Sequence, residues 1–252
     1  MARLLILGGT GEGRALAQAL HAAHPGLDVV TSVAGVTANA PALPGETRVG
    51  GFGGADGLAA YIKEQGVDFV IDATHPFAAR ITAHAVSASV ATDTPYLRVE
   101  RAAWTMPANT DVVFVPDADE AARLVARTSS AALLTIGRKD LGAFDGVGKV
   151  NLVARVIERP APDPLHGVAQ YVVARPPFTL DGEVALLREH NIDTVVTKAS
   201  GGDATRAKLD AAAIVGARLV IIRRPPPPDA ERVSNVEDAL DWVTAHLERA
   251  RP

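Results

Sequence analysis

Leu4-Leu5-Ile6-Leu7-Gly8-Gly9-Thr10-Gly11-Glu12-Gly13-Arg14 decides the fold of this chain. Four apolar residues make a strand buried on both faces, and the glycines that follow turn the chain straight into a helix. Open α/β sheets place their ligands here, outside the carboxyl ends of the strands. Residues without side-chain bulk let the backbone approach a phosphate, and the helix N-terminus offers free N–H groups with partial positive charge. A second segment repeats the arrangement: Phe69-Val70-Ile71 runs into Asp72-Ala73-Thr74-His75-Pro76-Phe77-Ala78. Pro76 suits the first turn of the helix after it.

Outward from these turns, strand and helix alternate. Strands are expected at Arg3–Leu7, Asp28–Ser32, Glu46–Val49, Asp68–Ile71 and Tyr96–Val99, with helices at Gly13–Ala23, Ala55–Gln65 and Phe77–Val90. The pattern lapses from Arg101 to Thr110, where Pro107, Asn109 and Thr110 cluster, and then resumes. Further strands are expected at Val112–Val115, Ala132–Ile136, Val150–Arg155, Thr194–Lys198 and Arg218–Arg223. The intervening helices are Asp117–Ala126, a short one near Lys139–Phe144, Thr179–His190 and Ala204–Val215, and Val236–Arg249 closes the chain behind a Ser234 or Asn235 cap. Pro225–Pro228 reads as a stiff loop. Such alternation means right-handed crossovers and parallel pairing. The fold class is therefore α/β: two Rossmann-like domains with mainly parallel sheets and an interdomain cleft. The N-terminal domain spans 1–100 and the C-terminal one 111–252, with 101–110 as the linker.

Composition agrees with this class. Hydrophobic residues are 48% of the 252 and aromatics only 4%, so the cores are built from Val, Ile, Leu and Ala. A net charge of -4 argues against a general affinity for nucleic acid. The absence of cysteine rules out disulfides, thiolate zinc sites and a cysteine nucleophile. The seven histidines lack metal spacing: His21 and His24 fall on an ordinary surface helix, and no metal is expected. The apolar run before Gly8 is too short for a signal peptide, and no run approaches a membrane span, so a cytoplasmic chain without membrane contact is expected.

The first turn spells neither G-x-G-x-x-G nor a P-loop, because Arg14 stands where a third glycine would fall counting from Gly9. Its position still gives Gly9, Thr10, Gly11, Glu12, Gly13 and Arg14 a phosphate-binding role, the alternative being a plain glycine-rich strand–helix turn. An NAD site carries an acidic residue at the end of the second strand, yet Val30-Thr31-Ser32-Val33-Ala34-Gly35 has none. Ser32 with a basic group such as Arg14 tolerates a 2′-phosphate, which points to NADP. Asp72 reads as a turn cap, and His75 either as a titrating group of the site or as a satisfied loop histidine.

In the second half, Gly137-Arg138-Lys139-Asp140, Lys198-Ala199-Ser200-Gly201-Gly202 and Arg223-Arg224 each follow a strand, and Arg175 precedes Pro176-Pro177-Phe178. In a parallel sheet these ends share one edge, making a basic rim suited to a polyanion. The alternative is a set of solvated loop charges.

The ordered set GGTGEGR (Gly8–Arg14), GGFGG (Gly50–Gly54), DATHPFA (Asp72–Ala78), GRKDL (Gly137–Leu141), ARPPF (Ala174–Phe178), TKASGG (Thr197–Gly202) and IRRP (Ile222–Pro225) resembles the precorrin-6A reductases. Arg98, Arg101 and Trp104 fit the same pattern. The resemblance implies hydride transfer from NADPH to the precorrin-6A macrocycle, giving precorrin-6B, in cobalamin biosynthesis. It adds Gly53 and Thr74 to the cofactor residues and makes Arg138, Lys139, Arg175, Ser200, Gly201 and Gly202 substrate-binding. His75 is the first candidate proton donor and Lys198 the second. The implied partner is a tetrapyrrole polycarboxylate; no oligomeric state is set, and a monomer suffices. In Ala34-Gly35-Val36 the pattern leads us to expect a basic residue after the glycine, which leaves the partner of the 2′-phosphate open. No Tyr-x-x-x-Lys follows Tyr61, Tyr96 or Tyr171, so the short-chain dehydrogenase acid is absent. The competing readings are another Rossmann-type oxidoreductase or epimerase, a cobalt-precorrin-6A reductase, and a non-catalytic NADP-binding regulator.

Overall fold

Buried runs separated by amphipathic segments give a first sheet whose two faces are filled by alternate residues of the same strands. The computed structural model describes residues 1–35, 42–167 and 169–249. The chain opens with β1 (Arg3–Leu7), α1 (Gly11–Ala23), β2 (Asp28–Val33), β3 (Glu46–Val49), α2 (Ala55–Gln65), β4 (Phe69–Asp72), α3 (Ala79–Thr92) and β5 (Tyr96–Val99). Leu4 and Ile6 pack on one face with Leu16 and Leu20 of α1, while Leu5 and Leu7 pack on the other with Leu58 and Ile62 of α2 and Ala85 and Ala88 of α3. The side-chain period of two thus sends one strand into both cores.

The second sheet follows with β6 (Val112–Val115), α4 (Ala118–Thr128), β7 (Ala131–Thr135), β8 (Asn151–Val156), β9 (Ala169–Val173), α5 (Leu180–Glu189), β10 (Thr194–Lys198), α6 (Ala207–Val215) and β11 (Arg218–Ile222). Its strand order is β6-β11-β10-β7-β8-β9, all parallel. Leu133, Val195, Leu219 and Ile221 meet Leu187 of α5 and Leu209 of α6 on one face, and α4 packs on β6 and β11.

The chain then returns to the first sheet as β12 (Arg232–Val233) and α7 (Val236–Arg249). β12 pairs with β5, giving the order β12-β5-β4-β1-β2-β3, again all parallel. Trp242 packs edge-on against Phe69, 6.2 Å between ring centres, and His24, the C-cap of α1, bonds Thr244 of α7 at 2.9 Å. Asn235 caps α7 by accepting from the Asp238 N–H at 2.7 Å.

The fold class matches the expectation of two parallel α/β sheets. The compact units differ from the expected domains: Met1–Arg101 with Pro225–Pro252 forms one, and Ala102–Arg224 the other. The C-terminal segment leaves the second unit because its apolar face, with Ala239, Trp242 and Val243, fills the core of the first. The expected linker 101–110 is also largely absorbed: Trp104 and Met106 pack on the core of the second unit, and the Trp104 indole donates to Gly202 O at 2.7 Å. β9 and β12 escaped the sequence reading, and α3 begins at Ala79, not Phe77, because Ala78 N closes a turn onto His75 O at 2.7 Å. Among the described residues no helix is long and apolar enough to cross a membrane.

Candidate active site

In each sheet the strand order reverses direction at one place, between β1 and β4 in the first and between β7 and β10 in the second. A crevice opens at such a point because the flanking crossovers leave toward opposite faces. The chemistry-bearing turns of the sequence lie at these two places.

In the first unit, β1 runs through Gly8, Gly9 and Thr10 into α1. Gly9 has φ +102°, a conformation open to glycine, and no atom lies within 4 Å of where its Cβ would stand. Gly13 serves close approach instead: a Cβ there would come within 3.2 Å of Gly8 Cα and 3.5 Å of Ala73 Cβ. Thr10 is the N-cap; its hydroxyl accepts from Gly13 N at 3.1 Å and donates to Ala73 O at 2.6 Å. The two turns are thereby tied together, and the Thr10 hydroxyl is used within the fold. The N–H groups of Gly11 and Glu12, in the first turn of α1, take no partner from the helix itself. This bare, N–H-lined turn fits the pyrophosphate of a dinucleotide. The Glu12 carboxylate bonds Arg101 at 2.6 Å, and Arg14 sits on the first turn of the helix, half-buried.

The neighbouring turn is held from below by Asp72. Its carboxylate is fully buried and accepts from Thr74 N (2.9 Å), Thr74 Oγ1 (2.7 Å), Thr82 Oγ1 (2.7 Å) and Tyr96 Oη (3.1 Å). Arg98, also buried, closes the set at 2.6 Å, and the same guanidinium donates to Thr74 Oγ1 at 3.0 Å. Burial, and next the Asp72 charge, push the Tyr96 hydroxyl well above the ordinary tyrosine range. Thr74, an expected cofactor contact, thus spends its hydroxyl on this network. His75 Nδ1 accepts from Phe77 N at 3.2 Å, which places the proton of the neutral imidazole on Nε2. The ring also leans on Phe77.

Ser32, the penultimate residue of β2, is buried, with its carbonyl accepting from Gly8 N at 2.8 Å. The β3–α2 connection carries Gly53 at φ +82° with open space around it. Arg48 of β3 lies across this connection, donating to Gly50 O at 2.7 Å and Gly51 O at 2.8 Å.

In the second unit, residues 138–144 after β7 form a 3-10 helix, beside the Ser200–Gly202 turn after β10. Lys198 pairs with Asp140, which joins these two turns as Thr10 joins those of the first unit. Arg138 and Arg175 are brought together: both approach Glu158, at 3.9 and 3.5 Å. Lys139 is exposed, whereas Ser200 is buried and its N–H donates to Lys198 O at 2.7 Å. Gly201, at φ +65°, is packed so that a Cβ would collide with Ala102 O and the Arg224 guanidinium, so its smallness serves packing. Glu158 and Asp140 stand between the basic groups of this rim and offset part of its positive charge. Sequence reasoning missed Arg48, Tyr96, Thr82 and Glu158. Strand register brings Arg48 and Tyr96 into place, and the first turn of α3 brings Thr82.

A family model described as precorrin-6x reductase CbiJ/CobK matches residues 3–244. The precorrin-6A reductase of Rhodococcus erythropolis is 45% identical over 246 residues, 96% of this chain and 98% of that protein. That of Mycobacterium tuberculosis is 44% identical over 245 residues, with 96% and 98% covered. The cobalt-precorrin-6A reductase of Priestia megaterium is 31% identical over 238 residues, 88% and 90% of the two chains. Among solved structures, CobK precorrin-6A reductase aligns with a TM-score of 0.89 at 40% identity, covering 98% of this chain and 97% of that one.

Proposed function

The chain belongs to the precorrin-6x reductase family, and on that premise we propose that it reduces precorrin-6A to precorrin-6B with NADPH as hydride donor. The observation that carries the cofactor reading is the tethered pair of turns at the β1/β4 reversal. An N–H-lined glycine turn there stands one hydrogen bond from the His75 turn. When bound, NADPH supplies the hydride. The chain supplies position: Gly9, Gly11 and Glu12 cradle the pyrophosphate through backbone N–H groups, Gly13 keeps the turn close-packed, and Arg14 adds positive charge. Arg138, Lys139 and Arg175 receive carboxylates of the substrate, with the Ser200–Gly202 turn allowing close approach. Reduction adds one hydride and one proton to the macrocycle. The proton comes from His75 Nε2, with Lys198 as the second donor. The partner is thus a soluble tetrapyrrole polycarboxylate, and a cytoplasmic monomer suffices. Relatives named for precorrin-6A share 45% and 44% identity, against 31% for one named for cobalt-precorrin-6A, so we assign the metal-free substrate.

The test is loss of NADPH absorbance on adding precorrin-6A, with NADH and cobalt-precorrin-6A as the comparison arms. Turnover dependent on precorrin-6A and faster with NADPH supports the assignment. Turnover on the cobalt form alone, or with NADH equally well, overturns it. His75→Gln should lower kcat by roughly a hundredfold while leaving the Kd for NADPH unchanged; an unaltered kcat removes His75 from the proton step.

A further inference from the structure

The end of β2 lacks the carboxylate that would hold a 2′-hydroxyl, and no basic residue follows Gly35. From Asp28 to Gly54 the chain has a single Lys or Arg, and it is Arg48. β2 and β3 pair with Ser32 opposite Arg48, so the two side chains project from the same face of the sheet. The guanidinium bends toward the carboxyl edge. Nη1 donates to Ser32 Oγ at 3.4 Å and to Gly50 O at 2.7 Å, and Nη2 donates to Gly51 O at 2.8 Å. Its Cζ lies 3.9 Å from the centre of the Phe52 ring and 5.2 Å from that of Tyr61, and the two rings meet edge to face.

Two features set this arginine apart from a surface charge. Among the described residues it has no carboxylate partner, and Glu46, two residues before it on β3, pairs with Arg3 at 2.7 Å. The three bonds above also leave Nε–H and one Nη2–H of the fork uncommitted. The group is held rigid by an aromatic face and two carbonyls, yet keeps donors and a full positive charge. Its position follows from the first turn. Gly8 N bonds Ser32 O, so β1, Ser32 and Arg48 form a continuous run along one sheet edge. A dinucleotide whose pyrophosphate rests on the Gly9–Gly13 turn extends its adenosine ribose along that edge, toward the end of β2.

We infer that Arg48, steadied by Ser32 and Phe52, receives the 2′-phosphate of the adenosine moiety and so sets the preference for NADPH over NADH. The inference rests on the NADPH reading above and names the residue behind it. A phosphomonoester dianion suits the site because a guanidinium fork donates two parallel, charge-assisted bonds to its separate oxygens, where a 2′-hydroxyl offers one neutral oxygen.

Calorimetric titration of the whole protein with NADPH, NADH, adenosine 2′,5′-bisphosphate and 5′-AMP provides the test, alongside Arg48→Gln and Arg48→Lys. The wild type should bind NADPH and the bisphosphate more tightly than NADH and 5′-AMP. Arg48→Gln should weaken the two 2′-phosphorylated ligands by about 10- to 100-fold, leave NADH and 5′-AMP within about twofold, and Arg48→Lys should fall between. If Arg48→Gln weakens all four ligands equally, Arg48 only supports the loop and the inference fails. If the variant keeps the wild-type preference, another group holds the phosphate and the inference fails while the NADPH reading stands. Wild-type protein that binds NADH as well as NADPH overturns both.

Discussion

Asp72 shows how much one buried carboxylate can organise. Five donors from four residues converge on it, and its ion pair with Arg98 is sealed from solvent. Removing one member of such a pair strands the other charge in the core. Asp72→Asn should therefore destabilise the first unit by about 3–5 kcal/mol, measured as a shift in the urea midpoint. A shift under 1 kcal/mol would mean Arg98 finds water on its own. The sequence allowed Asp72 to be read only as a turn cap. Its other partners, Tyr96 and Arg98, arrive through the pairing of β4 with β5, where Arg98 stands opposite Asp72. Lys208 is the second residue of this kind. It is buried, donates to Thr205 O at 2.7 Å, and lies 4.7 Å from the Trp104 ring. Burial, and next the Arg155 charge, push its ammonium down to about 7 from the ordinary 10.5. Between those two values the unfolded chain holds a proton that the folded chain has released, so stability rises with pH across the window. Urea midpoints at successive pH values from neutral to mildly alkaline should climb in the wild type and flatten in Lys208→Met. Equal slopes would contradict the assignment.

The elements were legible where a single strand or helix carried its own signal. β1 and β11 carry uninterrupted apolar runs, Leu4–Leu7 and Leu219–Ile222, and α1 shows its buried stripe at Gly13, Leu16, Ala17 and Leu20. The half-exposed edge strand β9 and the two-residue β12 have no such pattern, because neighbouring strands define them. The glycine turn was recognised as a phosphate site, but its glycines divide by role only in three dimensions. Gly9 supplies a positive φ, whereas Gly13 lets α1 approach the ends of β1 and β4. Gly13→Ala must move α1 outward by a few tenths of an ångström or displace Ala73. The expected cost is about 1–3 kcal/mol in stability, with weaker NADPH binding, read by urea titration and cofactor fluorescence. Unchanged affinity would separate the position of α1 from the cofactor site. In the second unit, Arg138 and Arg175 were expected on one rim and do converge, but on Glu158, a residue just after β8 that gave no sequence signal.

The whole chain leaves its first unit after Arg101 and returns at Pro225. Composition marked the first crossing, where the strand–helix alternation lapses. It hid the second, because Pro225–Pro228 has the look of any stiff loop and α7 has the look of any terminal helix. What decides is the apolar face of α7, which fits the side of the first sheet that bears Leu4, Ile6 and Phe69. Trp242→Ala should accordingly destabilise the first unit by about 3–5 kcal/mol, seen as an early transition in urea monitored by amide signals from β1 and β4. A loss confined to the second unit would contradict the division. The proposed reaction requires a hydride to pass from NADPH to the macrocycle, and NADPH deuterated at its hydride-donating position tests that most directly. After incubation of the purified protein with precorrin-6A, mass spectrometry should find a product with one deuterium from the cofactor and one hydrogen from solvent. A product without cofactor deuterium, or unchanged precorrin-6A beside bound NADPH, would contradict it.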